Sequence, residues 1–190
     1  GAGTTVVGNA LPETGIAADF ATLMPQLVQM GRSTTARLLA YAYVDPPPAV
    51  AEALRTRARV QWAVRVRLIG DQPFSHLTTH VPEAIAQDFS EADLATTPLF
   101  RLLERSGVEV DHADQSISAT LATPEVADAL DIAPGSALIA LTRVVYDVSG
   151  RGVEHLSALY RPDRFRLEMT LDRVGRDGAR QWAPVLTPQS

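Results

Sequence analysis

Arg65 and Arg67 are the residues whose type and spacing most directly suggest chemistry. They stand two apart in the alternating stretch Val60–Leu68 (VQWAVRVRL), so on an extended strand both side chains leave the same face. Two guanidiniums converging there repel each other unless an anion or carboxylates lie between them. Arginine grips phosphate or carboxylate in a bidentate fork. The polar loop Ser33-Thr34-Thr35 offers hydroxyl and amide donors for the same kind of group. The other reading open to the pair is a solvated strand face with Asp or Glu partners across a sheet.

Glu154 and Tyr160 form a second pair. Six residues apart on Gly150–Phe165 (GRGVEHLSALYRPDRF), they share one side of an extended segment. Without a ligand, these residue types make a salt bridge and a core tyrosine with a wet tip. Arg161, Asp163 and Arg164 read as a charged turn that pairs locally, because Pro162 breaks the strand. Of the histidines His76, His80, His112 and His155, the first two share a strand face. They lie about 13 Å apart along it, too far for one metal ion, so no metal site or cofactor is expected. His76 and His155 hold matching places in two similar hairpins and are expected to approach each other, and His76 is kept among the candidate binding residues.

The elements that must position these groups follow from the pattern of the chain. A length of 190 residues with 46% hydrophobic and 21% charged content suits one sizeable core. No apolar run approaches a membrane span, and no signal-peptide pattern opens the chain, so a cytoplasmic location is expected. The absence of cysteine excludes disulfides and thiolate metal sites. A net charge of −5 argues against gripping nucleic acid through the overall field.

Residues 1–12 read as a linker, 13–171 as the folded domain and 172–190 as a polar, poorly packed tail. Phe20, Leu23, Met24, Leu27 and Met30 recur at helical spacing after Asp19, with Pro25 as a strain on that helix. Strands are expected at Leu38–Val44, Val60–Leu68, Pro73–Val81, Val108–Leu121, Ala137–Tyr146, Val153–Tyr160 and Phe165–Leu171. Short helices are expected at Ala49–Arg55, Pro82–Phe89, from Thr97-Pro98 toward Gly107, and from Thr123-Pro124 to Leu130. The chain also repeats itself. A-E-A-L at Ala51–Leu54 returns as A-D-A-L at Ala127–Leu130, and PFSHL at Pro73–Leu77 returns as GVEHL at Gly152–Leu156. The expected fold is α+β, with an antiparallel sheet built from two copies of one unit and flanked by helices.

Taken together, these marks resemble the UTRA domain, the effector-binding part of the HutC branch of the GntR transcriptional regulators. They are Met30-Gly31 with Ser33-Thr34-Thr35, Arg65–Leu68 before the Asp71–Pro73 turn, Pro98–Gly107 (PLFRLLERSG), Pro134-Gly135, Arg143–Asp147 (RVVYD), Val153-Glu154 and Tyr160–Phe165. The resemblance implies a chorismate-lyase-like fold and a homodimer. It implies DNA binding only through a winged helix not present in this chain, of which Gly1–Val7 looks like the closing wing. It implies an effector pocket in which Arg65 and Arg67 with Ser33, Thr34 and Thr35 hold a phosphate or carboxylate. Glu154 would accept from, and Tyr160 donate to, the rest of a small anionic metabolite. The chain departs from sugar-phosphate-binding relatives at Leu77, where they carry glutamate, and at Pro98 and Phe100, where they carry serine and tyrosine, so a less hydroxylated anion is expected. A chorismate-lyase-like enzyme and a dimerisation module with a vestigial pocket are the competing functions; no nucleophile–base pair supports the enzyme.

Overall fold

The computed structural model describes residues 16–19, 34–168, 170–175 and 180–184 of the chain. The helix expected over Phe20–Met30, the loop residue Ser33 and the linker 1–12 lie outside the described residues.

Two copies of one unit build the main sheet. The first comprises β2 (Thr35–Val44), α1 (Pro48–Leu54), β3 (Val60–Ile69) and β4 (Gln72–Pro82). The second comprises β5 (Val110–Leu121), α5 (Pro124–Leu130), β6 (Ala137–Asp147) and β7 (Gly152–Tyr160). They join through β4 and β7 into a six-stranded antiparallel sheet of order β2-β3-β4-β7-β6-β5. Between the units run three short helices, α2 (Glu83–Ala86), α3 (Glu91–Thr96) and α4 (Leu99–Arg105).

The duplication expected from the sequence holds down to local irregularities. In the first hairpin the register passes from Arg67↔Ser75 to Leu68↔Pro73, leaving Phe74 as a bulge. In the second it passes from Val145↔Glu154 to Tyr146↔Gly152, leaving Val153 as a bulge. Both bulged side chains are fully buried, and a kink of this kind, shared by the two repeats, re-aims the strand that carries it. The two repeat helices also match. Each carries a proline in its first turn and ends on a left-handed, non-glycine residue, Arg55 (φ 52°) or Asp131 (φ 53°). On α5, Thr123 accepts a hydrogen bond from the Val126 amide, the cap its position suggested.

Each repeat helix packs against the other repeat: α1 lies on β7 and α5 on β4. The approach at α1 is close enough that only glycine fits beneath it. A Cβ on Gly152 would lie 2.7 Å from the Leu54 Cα. Under α5, Val66, Leu130 and Leu138 form a buried cluster on the same face. The opposite face is covered by α2–α4 and the link between α2 and α3: Ile85, Phe89, Leu94, Leu102 and Leu103 pack on Ala63 and Val81 of the first repeat and Val145 and Val153 of the second.

Three elements differ from the sequence reading. Helix α3 was not anticipated; it starts at a capping box in which Ser90 and Asp93 satisfy each other's backbone groups. Helix α4 begins one residue later than its start signal suggests, with Pro98 rather than Thr97 in the capping position. The last expected strand, Phe165–Leu171, is two pieces. Strand β8 (Phe165–Glu168) pairs in parallel with β1 (Ile16–Asp19). Strand β9 (Leu171–Val174) pairs with β10 (Gln181–Pro184) in an exposed hairpin that straddles the expected boundary of the tail.

Candidate functional site

Strand register sorts the candidate residues by face. Arg65 lies opposite Leu77, and Arg67 opposite Ser75. Ser75 in turn faces Tyr160, and Leu156 faces Arg143. Because side chains alternate, Arg65, Arg67, Arg143, Glu154 and Tyr160 all leave the face covered by α3 and α4. The candidate His76 does not. It pairs with Val66 and Leu159, one step out of phase, and points to the side of α1 and α5. Its expected approach to His155 is also replaced. His80 is the strand partner of His155, with ring centroids 5.9 Å apart. Pairing two antiparallel repeats sets unlike positions opposite each other, whereas equivalent positions meet only at the symmetry axis near Thr78 and Ser157.

Beneath the helices lie two connected cavities that share Arg65, Arg67 and Pro98. The outer one, about 370 Å³, is lined by those arginines and by Thr34, Thr35, Thr96 and Thr97, with no acid among its lining residues. The inner one, about 60 Å³, continues past Leu77, Leu156 and Phe100 to Arg143 and Glu154.

Arg65 is buried at the junction. It donates from Nη1 to the Leu94 carbonyl (3.3 Å) and from Nη2 to Thr79 Oγ1 (3.5 Å), while its Nε has no partner. Burial pushes its pKa down to about 10, with Glu154 opposing the shift and Arg67 reinforcing it. A guanidinium this desolvated beside a second one is a site short of negative charge. Arg67 donates from Nε and Nη2 to Thr34 Oγ1 at 3.2 and 2.6 Å, so the strand and the loop meet at the outer cavity as their residue types suggested. Thr35 lines the same cavity.

Glu154 is 7% exposed and makes no hydrogen bond or ion pair among the described residues. Burial raises its pKa, and Arg143 and Arg65 pull it back toward the ionised form. Tyr160 is buried, stacked on Phe165 at 4.1 Å between ring centroids, and its hydroxyl is shifted upward by the same desolvation. Arg161 is structural, as its turn implied. It ties Pro73 and Leu130 carbonyls at 3.1 Å each and pairs with Asp163 at 2.7 Å.

Arg143 is the residue that reading by spacing did not select. It is buried, lines the inner cavity, and donates from Nε and Nη2 to Gln115 Oε1 at 2.9 and 2.6 Å. The signal was present in the repeat. If Leu77 corresponds to Leu156, their strand partners Arg65 and Arg143 correspond as well. Among the described residues no group of three or more His, Cys, Asp or Glu could hold a metal ion.

A comparison with known families matches the UTRA domain over residues 29–166. The chain belongs to the UTRA domain family. This UTRA domain is 25% identical over 146 residues to the HTH-type transcriptional repressor NagR of Bacillus subtilis, covering 76% of this chain and 60% of that protein. It thus spans about three-fifths of the length of that curated relative. A ligand-binding domain of a GntR-family regulator from Bordetella bronchiseptica matches with TM-score 0.68 and 25% identity, over 73% of this chain and 89% of that one. The PhnF structure from Mycobacterium smegmatis matches with TM-score 0.70 and 20% identity, over 82% of this chain and 72% of that one. The α+β fold is therefore that of GntR effector domains. No helix among the described residues is long and apolar enough to cross a membrane.

Proposed function

We propose that this UTRA domain is the effector-sensing and dimerising part of a GntR-type transcriptional regulator, binding a small anionic metabolite and through it setting the DNA affinity of an attached winged helix. The observation that carries the reading is the outer cavity: two guanidiniums and four threonines line it without a carboxylate, and one buried guanidinium N–H has no partner. A phosphate or carboxylate there meets the donors that are otherwise costly to leave unpaired.

The inner cavity supports a body of limited polarity. Leu77, Leu156 and Phe100 cannot pair with hydroxyls, and each unpaired hydroxyl costs about 1–3 kcal/mol, so sugars are disfavoured. At its end Glu154 needs a donor. An ammonium there would face the charges of Arg65 and Arg143, and a second carboxylate would face Glu154 itself, so the matching group is a neutral donor such as an amide N–H. His76, on the other face of the sheet, has no part in this site.

The attached reader would respond because the ligand prefers one dimer geometry over another. Titration calorimetry with phosphorylated and carboxylated metabolites tests the site. Arg67→Ala is expected to weaken the best ligand at least tenfold, as loss of a charged hydrogen bond of about 1.5–3 kcal/mol requires. Equal binding by wild type and the Arg65→Ala/Arg67→Ala double variant would remove the anion site.

A further inference from the structure

Arg65 and Arg143 occupy equivalent places in the two repeats, yet they are held in different directions. The residue across from Arg65 on the outer strand β2 is Leu38, which has no side-chain acceptor to offer. Arg65 turns instead to the Leu94 carbonyl of α3 and to Thr79, at the junction of the two cavities. The residue across from Arg143 on the outer strand β5 is Gln115. Its Oε1 accepts from Nε and Nη2 of Arg143 at 2.9 and 2.6 Å. Beyond Val110, Gln115 is the one residue of β5 that is not exposed. An arginine fork matches the two oxygens of a carboxylate. Here it closes on the single oxygen of a neutral amide, so the positive charge is fixed in place without being cancelled.

A fixed charge at this point matters because of Glu154. Val145 is the strand partner of Glu154, which makes Arg143 its diagonal neighbour on the same face. Diagonal neighbours on paired strands stand about 7–8 Å apart, within reach of a long side chain. Both residues line the inner cavity. Glu154 nevertheless makes no hydrogen bond or ion pair among the described residues. Of the two arginines that draw it toward its ionised form, Arg143 is the stronger. An Arg143 released from β5 would pair with Glu154 and take that acceptor away from anything entering the cavity.

We infer that Gln115 is a positioning residue of the effector site: by holding Arg143 toward β5 it keeps the Glu154 carboxylate unpaired and open to a donor on the ligand. The amide is the side chain this role requires. An apolar one releases Arg143, and a carboxylate cancels the charge that keeps Glu154 an acceptor. The first repeat, with Leu38 in the equivalent place and its arginine turned to α3, shows what the absence of this hold does.

The part played by the ligand rests on the function proposed above, whereas the hold on Arg143 does not, and the test separates the two. Gln115 belongs to none of the buried apolar clusters, so the full chain is expected to fold with Gln115→Leu or Gln115→Glu. NMR titration of carboxyl-labelled glutamate, with Glu154→Gln to identify the signal, reads the acid directly. Glu154 is expected to titrate above 4.5 in the wild type and below 4.5 in Gln115→Leu, where Arg143 reaches it. In Gln115→Glu, which keeps the hold but cancels the charge, it is expected to titrate higher than in the wild type. Shifts of the same direction in both variants, or in neither, would overturn the inference, because mere loosening of β5 does not separate them. Calorimetry with glutaramate and with 5-oxohexanoate, which has a methyl group in place of the amide NH2, then reads the ligand's donor. The wild type is expected to bind glutaramate about tenfold or more tightly than 5-oxohexanoate, and Gln115→Leu to bind the two within about twofold of each other. If Glu154 shifts as expected while the wild type fails to prefer glutaramate, the hold on Arg143 stands and the neutral-donor reading of the effector falls.

Discussion

The two repeats share a skeleton and divide the work. Their bulges, helix ends and hairpins coincide, yet the residues they turn toward the helix-covered face differ. The first repeat supplies Arg65, Arg67 and Ser75 at positions where the second supplies Arg143, Val145 and Glu154. A two-fold frame would build a cavity with two equal ends. Changing two positions out of three converts it into one strongly basic end and one mixed end. The other difference lies outside the frame: helices α2–α4 follow the first repeat and cover its half of the sheet and part of β6 and β7, leaving most of β5 exposed. Polarity in this domain comes from substitution within a symmetric scaffold and from one insertion.

The comparison makes predictions about stability that can be broken. The largest effect belongs to Gly152→Val. The added side chain meets the Leu54 backbone with no flexible neighbour to give way, and a loss of about 3 kcal/mol or more is expected in urea melts. Its counterpart Pro73 shows that the other repeat solves the same approach differently. Next come Leu54→Ala and Leu130→Ala, both fully buried on equivalent helices. Each is expected to cost about 2–4 kcal/mol, and the two values to agree within about 1 kcal/mol. A large inequality would mean that the interlocked packing of α1 and α5 is not equivalent.

The acid that breaks the symmetry gives a pH test. Glu154 has its pKa raised above the ordinary 4.5, chiefly by burial, so the folded state holds its proton longer than the unfolded state. Stability from this group is therefore full at low pH and declines as pH rises from 4.5 through the folded value. Relative to Glu154→Gln, the wild-type melting temperature should fall across that window; a difference that stays level would show that Glu154 is fully solvated. The smallest expected effect is at the helix ends. Arg55→Gly and Asp131→Gly each relieve a left-handed, non-glycine residue and should raise stability by about 0.5–1 kcal/mol, equally.

Much of this arrangement was legible in the residues. Alternation in VQWAVRVRL placed Arg65 and Arg67 on one face, and the PFSHL and GVEHL echo placed the two hairpins. What escaped had physical reasons. Helix α3 is six residues long, too short for periodicity to register, and only the Ser90–Asp93 capping pair announced it. His76 was misplaced because side-chain face depends on register between strands, and register is set by the bulge at Phe74 and the β4–β7 pairing. Arg143 needed the repeat to be carried one strand further than the hairpin echo. Which effector fills the cavities is a matter of shape and charge distribution that no spacing along the chain encodes.

The crossed placement of the helices has a consequence for how the chain reaches this structure. Although α1 also packs on Val60 and α5 on Leu138 of its own half, α1 rests on β7 and α5 on β4, so neither helix completes its burial until the other half is in place. Pairing Ser75 with Tyr160 and His80 with His155 must close long loops before either helix finds its seat. Folding is thus obligately joint. Half of the sequence expressed alone would keep a bare inner strand and a helix covered on one side only, and mixing the two halves is the way to complete both. In the whole chain the two repeats are expected to melt together, in one transition, despite looking like separable units.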